Sequence, residues 1–599
     1  MGDKKTMRIK DAFQSIPGLK RNKDVFPLYT PWGETLDKDD VLQEYPRPQM
    51  RRKGYQMLNG EWEYRIVSKT EETITPGEVF DKDGLILVPF SPESILSGVE
   101  RQLLPSEYLW YQKEIDFEVD KSKEKCILHF GAVDQNAWVY INGREVFYHR
   151  GGFLPFEIDI TDFLVEGKGF LQVKVEDLSD TSCETRGKQK LNRGGIFYTA
   201  QSGIWQSVWY EKVPQNYIRA YRITPNFDEA KVVIEMDFEK PFTSVSMNVK
   251  DAECIVSQLS ESVFEVQFTD GQFVAWTPET PHLYEFVLEA DDDLVEGYFA
   301  MRCFTLEPDE KGILRACLNH KPCFMHGVLD QGYWSDGLLT APSDEALIFD
   351  IELAKKAGFN MMRKHIKIEP LRWYYHCDRL GMIVWQDMVN GGSNYHMPWI
   401  SYFPTVFPKL ANRIKDNHYW LQSRASEDGR KQWEIECMDT IKHLYNVPSI
   451  AVWVPFNEGW GQFDAARIAR EIREVDSTRL IDHASGWFDQ QESDFKSVHN
   501  YFRPLTVEVE ENRAFAISEY GGFSCHVEHH SSIVQGFGYK KYDTCQELSD
   551  AVKKCFEEAV FPLVERGLAG AVYTQLSDVE EEVNGIVTYD RKVIKIKLD

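Results

Sequence analysis

The chain has 599 residues, with 95 Asp and Glu against 68 Lys and Arg, for a formal net charge of −27 at pH 7. At about 100–200 residues per domain that length exceeds a single core and points to three or four domains. An acidic balance without clustered cations excludes a polyanionic partner, nucleic acid above all, because phosphate binding depends on Lys and Arg to release counterions.

The basic start, Met1–Lys10, has no apolar segment behind it, and nowhere do about 18 apolar residues run together. A soluble protein without a secretion signal or a membrane partner is expected. The 11 cysteines are scattered singly from Cys126 to Cys555 with no C-x-x-C pair. Neither a disulfide framework nor a zinc ribbon is encoded, and reduced thiols in the cytoplasm are the simplest reading. Cys525-His526 with His529-His530 looks like a metal cluster, but it sits in a Ser- and Gly-rich stretch without a second ligand group.

Between Pro27 and Val213, short β-type runs alternate with turn residues, as in Trp62–Val67, Cys126–Gly131, Ala137–Ile141 and Phe170–Val175. They predict an all-β sandwich. Asn142-Gly143, flanked by apolar alternation, predicts a type I′ hairpin turn with a purely structural role. Residues 215–306 alternate again at about the length of one immunoglobulin-like sandwich, and Pro278 and Pro281 must lie outside its central ladders.

After Leu306 the pattern changes to apolar strands alternating with amphipathic stretches. Strands are expected at His326–Leu329, Asn360–His365, Met382–Gln386, Ile450–Pro455, Leu480–His483, Ser497–Asn500, Phe515–Ser518 and Gly570–Gln575, with helices over Asp344–Gly358 and Pro370–Leu380. Eight such units in about 290 residues fit a (β/α)8 barrel. Two acids end apolar strands with glycine close behind: Glu458 in Asn457-Glu458-Gly459-Trp460 and Glu519 in Ser518-Glu519-Tyr520-Gly521. Counted nominally at strands four and seven, they would face each other across the barrel mouth. Retaining glycoside cleavage needs such a pair, one protonated and one ionised, about 5 Å apart.

Asn457-Glu458 and Ser518–Gly521 resemble the acid/base and nucleophile motifs of glycoside hydrolase family 2, the β-galactosidase, β-glucuronidase and β-mannosidase group. Trp276–Tyr284 is similar to that family's sandwich signature, Ser202–Trp205 to the end of its jelly-roll domain, and Gly358–Asn360 with Arg363 and His365 to its third barrel strand. Gly585–Arg591 is similar to its stretch after the last strand. The resemblance covers nearly the whole chain and implies a jelly-roll β-sandwich over 1–214, an immunoglobulin-like sandwich over 215–306 and a catalytic TIM barrel over 307–599.

It also implies that Glu458 is the general acid/base and Glu519 the nucleophile. Trp453, Phe456 and Trp460 are expected to surround Glu458 with apolar surface that keeps it protonated, with Trp460 also placed among the substrate contacts. Asn457 would bind the sugar 2-hydroxyl, Tyr501 would hold Glu519 ionised, and Arg363 and His365 would orient it. Asp330 and Asp387, taken at the ends of the first and fourth strands, would meet sugar hydroxyls.

Departures from the family pattern shape the expected substrate. Glu580–Asn584 keeps only the Asn of the Asn-x-Lys pair that β-glucuronidases use for the sugar carboxylate and adds negative charge, which disfavours a uronide. Trp385–Met388 lacks the magnesium ligands of large β-galactosidases, so no metal or cofactor is expected. The jelly-roll aspartate of relatives is not evident in Phe197–Gln201, leaving Lys188 and Gln189 to approach the site, and Tyr573–Gln575 lacks the usual tryptophan.

The sequence reading is a retaining exo-β-glycosidase for a neutral sugar, β-galactoside first, acting on a small glycoside or oligosaccharide; self-association into a homo-oligomer is compatible with it. A β-glucuronidase of the same family is the nearest alternative. A catalytically silent carbohydrate-binding protein, or an enzyme cutting polysaccharides internally along a cleft near Tyr395, Trp399 and Tyr402, are further ones.

Overall fold

The computed structural model describes residues 25–116, 119–165, 167–534 and 536–598. The N-terminal run read above for a targeting segment lies outside them. Among the described residues no helix is long and apolar enough to cross a membrane.

The N-terminal sandwich packs a four-stranded sheet (Tyr55–Met57, Val208–Pro214, Glu124–Phe130, Phe156–Asp159) on a six-stranded one (Gly84–Val88, Gly60–Ser68, Glu107–Asp116, Lys168–Glu176, Asn136–Ile141, Arg144–Arg150). Inward residues of both sheets, among them Trp62, Leu128, Val139 and Val173, share one core. The hairpin at Asn142-Gly143 closes as its chemistry requires: both residues have positive φ, 49° and 78°, and Ile141 faces Arg144.

A second sandwich follows from Ile218 to Phe299, four strands on three. Pro278 and Pro281 precede its strand Tyr284–Ala290 and leave the ladder intact. Between them and the barrel, Trp276 is fully buried and its indole N–H donates to the Asp378 carbonyl at 2.8 Å, tying sandwich to barrel.

The barrel strands are β1 (Met325–Asp330), β2 (Met361–Lys364), β3 (Ile383–Asp387), β4 (Ile450–Val454), β5 (Leu480–Ile481), β6 (Phe495–Asn500), β7 (Ala514–Gly521) and β8 (Leu568–Thr574). All ladders are parallel, in the spatial order β5-β4-β3-β2-β1-β8-β7-β6. The seam between β5 and β6 is bridged by Ser497 Oγ, which donates to Asp482 Oδ1 at 2.8 Å, and by the Asp494 N–H, which donates to the Ile481 carbonyl at 3.1 Å. Helices cover the outside, so strands such as β4 are buried along their whole length and read as unbroken apolar runs. Helix α1 (Asp344–Lys356) begins where the Ser343 side chain accepts the Ala346 N–H, with Asp344 and Glu345 in its first turn and Lys355 and Lys356 in its last. Helix α2 (Leu371–Leu380) stops at Gly381, which takes a left-handed φ of 72°.

Two strand numbers change from the sequence reading. Arg363 lies on β2 and His365 directly after it, not on a third strand, and Asp387 ends the third strand, not a fourth. The direct parallel pairing of β1 with β2 and of β2 with β3 fixes these numbers. Below the barrel, the strands Phe304–Pro308, Leu314–Leu318 and Lys321–Pro322 form a small sheet. Phe304, Ala316 and Leu318 join Met325, Trp385, Val452 and Val572 in the barrel's inner core.

Candidate active site

Strand β4 ends at Val454, and the next residues turn across the barrel mouth. Ser485, after β5, receives the Glu458 N–H on its carbonyl at 2.9 Å and gives its own N–H to Phe456 at 2.8 Å. Glu458 adopts a left-handed φ of 52°, a conformation that costs a non-glycine residue about 1–3 kcal/mol and persists only where the surroundings impose it. Gly459 continues the turn at φ 71°; a Cβ there would meet the Phe488 ring at 2.5 Å.

Glu519 enters from β7 and is nearly fully buried. Its Oε1 accepts from Arg363 Nη1 at 3.3 Å, and its Oε2 accepts from the Tyr501 hydroxyl. Burial raises this carboxyl, but the charges of His499 and Arg363, with the Tyr501 hydrogen bond, outweigh it and hold Glu519 below its ordinary value of 4.5. Burial, and then the charge of Glu519, push the Tyr501 phenol well above 10, so it stays a donor. Arg363 is fixed in turn. Its Nε and Nη2 grip Asp387 at 2.9 and 3.0 Å, Nη1 donates to the Ser518 carbonyl and Nη2 to Asn457 Oδ1 at 2.8 Å. One guanidinium thus sets both the Glu519 carboxylate and the Asn457 amide.

His499, on β6, stands between the two acids. Its Nδ1 lies 2.7 Å from Glu458 Oε1 and 3.5 Å from Glu519 Oε2. Its Nε2 lies 3.1 Å from Ser485 Oγ, which itself donates to Ser518 Oγ at 2.8 Å. Having used its proton on Ser518, Ser485 accepts from Nε2–H. A neutral ring then accepts from a protonated Glu458 through Nδ1, and a charged ring donates to an ionised one. Oxygens of Glu458 and Glu519 and a nitrogen of His499 all lie within 4.8 Å of one another. Such a set has the composition of a cation site, but a metal on Glu519 would have to displace the donors from Arg363 and Tyr501.

The other residues named from sequence are placed less directly. His365 Nδ1 meets Asp387 Oδ2 at 2.7 Å, so Asp387 is held by both Arg363 and His365. Asp330 is an ion-pair partner of Lys364, which also binds Glu369 at 2.8 Å, and its Oδ1 accepts the Gly332 N–H. Trp460 lies buried in a cluster with Phe197 and Tyr395, its ring centroid 5.1 Å from that of Phe197. Trp453 and Phe456 do not form the expected apolar jacket of Glu458: the Trp453 indole donates to Asp476 at 2.9 Å, and Phe456 stacks on Trp433 at 4.6 Å. Despite their proximity in sequence, strand alternation and the turn put both in the cluster with the helices, and His499 is the group that meets Glu458. Cys525, His526 and His530 are dispersed, His526 toward the Ile533 carbonyl and His530 toward Asp590.

Two site residues escaped the sequence reading. His499 stands two residues before Tyr501 in His499-Asn500-Tyr501, and nothing local to the sequence marks it as a partner of Glu458. Tyr539 lies in a loop without periodicity, and its ring stacks on Tyr501 at 4.0 Å with an interplanar angle of 9°.

The sequence profile of the "Glycosyl hydrolases family 2, sugar binding domain" matches residues 102–214, and that of the "Glycosyl hydrolases family 2, TIM barrel domain" matches residues 313–518. The chain belongs to glycoside hydrolase family 2. This family member is 24% identical over 476 residues to a putative β-glucuronidase of Formosa agariphila, covering 73% of this chain and 53% of that protein. It is 22% identical over 531 residues to a β-galactosidase of Priestia megaterium, covering 79% and 48%. The chain therefore spans about half the length of the curated relatives it matches.

Among solved structures, a β-glucuronidase from an uncultured Clostridium species superposes with a TM-score of 0.69 at 18% identity, covering 91% of this chain and 96% of that one. A β-galacturonidase from Eisenbergiella tayi bound to galacturonate gives 0.67 at 16%, with the same coverage. At these identities the structural likeness speaks for the fold.

Proposed function

We propose that the protein is a retaining exo-β-glycosidase in which Glu519 is the nucleophile and Glu458 the acid/base. The carrying observation is the pair of carboxyl groups within 4.8 Å, in unlike surroundings. Glu519, held ionised, attacks the anomeric carbon while Glu458 protonates the departing oxygen; Glu458 then removes a proton from the water that releases the sugar. Asn457, oriented by Arg363, binds the 2-hydroxyl. Following a β-glycoside by NMR should show the β-anomer of the sugar as first product. First appearance of the α-anomer would overturn the double displacement.

An exo mode is supported by the segment that follows β3. Its short helices Pro398–Tyr402, Phe403–Val406 and Pro408–Ala411 pack onto the loop after β5, with Trp399 stacked on Phe403 at 4.9 Å and near Phe488, which suits a walled pocket better than an open cleft. The eleven free thiols support a reducing, cytoplasmic setting. For the sugar, β-galactosidases among the relatives support a neutral galactoside, whereas glucuronidases and a galacturonidase among them and the structural neighbours support a hexuronide.

His499 belongs to this reading as a positioning residue. Because its charge lowers Glu519, His499→Gln should move the acidic limb of the kcat/KM profile upward. An unmoved limb would leave His499 a packing residue.

A further inference from the structure

We infer that Lys188 selects substrates carrying a carboxylate at C5 of the sugar, so that the terminal residue removed is a hexuronic acid. This rests on the glycosidase reading above and names its substrate class. Lys188 comes from the N-terminal sandwich, on a loop pinned to the barrel mouth. The Arg186 and Gly187 N–H groups donate to the Asn390 carbonyl at 3.0 and 3.1 Å, and the Lys188 carbonyl accepts from Tyr198 N–H at 3.0 Å. A Cβ on Gly187 would lie 3.2 Å from the carbonyl of Ile366, the residue after His365.

The ammonium of Lys188 is held near the groups that frame the mouth. Its charge acts on His365, on Asp387 and, from the other side, on Glu582, and its Nζ lies 5.6 Å from the Tyr198 ring. Its neighbour Gln189 turns away, donating to Asp134 at 2.8 Å. Lys188 is buried, yet among the described residues no carboxylate lies within ion-pair distance of it. The other buried lysines of the barrel all have one: Lys364 pairs with Asp330 and Glu369, Lys367 with Glu369, and Lys595 with Asp578.

Neighbouring acids cannot supply the missing anion. Asp387 is gripped by Arg363 and His365, and Glu582 accepts from Tyr198 at 2.7 Å and from Asn584 at 3.3 Å. A largely buried lysine with no carboxylate beside it leaves its charge open to an incoming anion. A substrate that brings a carboxylate meets that charge directly and gains over its neutral counterpart.

The acidic run that seemed to forbid such a substrate has another task. Glu580 accepts the Thr199 N–H at 2.9 Å, Glu581 the Gly195 N–H at 2.8 Å and Glu582 the Tyr198 hydroxyl. All three clamp the loop whose strand partner carries Lys188, and burial pushes Glu580 and Glu582 upward. Asn584, fully buried, accepts from Gln575 at 2.6 Å. The run positions a cation at the mouth instead of opposing an anion there.

The test compares nitrophenyl β-D-glucuronide, β-D-galacturonide, β-D-glucoside and β-D-galactoside on the wild-type enzyme, Lys188→Met and Lys188→Arg. The wild type should favour a uronide over its neutral counterpart. That ratio of kcat/KM should fall by about 100-fold in Lys188→Met, the scale of removing one partner of a desolvated charge pair, and recover in part in Lys188→Arg. The two uronides report which hexuronic acid is preferred. A ratio favouring the neutral sugars, or one that Lys188→Met leaves unchanged, overturns the assignment. Thermal shifts with D-glucuronate and D-glucose give a readout independent of turnover. Absence of turnover on every glycoside, with glucuronate still preferred in a Lys188-dependent way, would overturn the glycosidase reading and keep this one; equal shifts by acid and neutral sugar would overturn this one.

Discussion

Replacing Glu519 by glutamine is expected to lower kcat on any aryl β-glycoside by about 10⁵-fold or more, the scale on which loss of a covalent nucleophile is felt, with the fold intact by circular dichroism. A 2-fluoro-glycoside inactivator should label Glu519 in the wild-type protein and leave the variant unlabelled. The chemistry needs an ionised carboxylate, and Arg363 and His499 hold it below the ordinary 4.5 against the opposing effect of burial. Stabilisation of the charged form is complete above the carboxyl's ordinary value and is lost as pH falls through the lowered one. The acidic limb of kcat/KM should accordingly lie below pH 4.5. A limb above that value, or a label on another residue, would remove Glu519 from the nucleophile's role.

Glu458→Gln should divide substrates by leaving group. A general acid contributes about 10²–10⁴-fold where the departing oxygen needs a proton. Alkyl glycosides should therefore slow by about that factor, whereas 2,4-dinitrophenyl glycosides, whose phenolate leaves unaided, should keep a rapid first step seen as a burst. Equal slowing of both classes would mean that Glu458 donates no proton. The glutamine keeps the left-handed turn and the hydrogen bond to Ser485, so the comparison isolates the proton.

Much of the barrel could be read directly because buried parallel strands leave an unambiguous mark. Ile450–Val454 is apolar at every position since helices cover one face and the barrel core fills the other. Helix α1 was legible through Ser343, the acids of its first turn and the lysines of its last. Asn142-Gly143 fixed its own turn because few residue pairs tolerate two positive φ values. Strand numbering was not legible, since it depends on which strands pair, and that is a property of the ladder.

The site divides along the same line. Covalent order alone puts Asn457 beside Glu458, and the chain's local chemistry puts Glu458 and Glu519 at strand ends. Whether an aspartate such as Asp330 meets substrate or a lysine depends on what folds against it, and here Lys364 does. Trp453 and Phe456 flank Glu458 in sequence, yet the strand's alternation and the turn send them to the helix layer. His499 reaches Glu458 from 41 positions away.

The sequence by itself determined the strand-ending carboxylates and the apolar periods that build the barrel, because those depend on residue type and near neighbours. Only the tertiary structure decided how the carboxylates are charged and what Glu580–Glu582 do. Three acids in a row read as a negative patch, but packing against Gly195, Tyr198 and Thr199 turns them into hydrogen-bond acceptors for a loop from the N-terminal sandwich. The electrostatic character of the mouth is set by which charges find partners, and partners hundreds of residues apart are chosen only when the chain has folded.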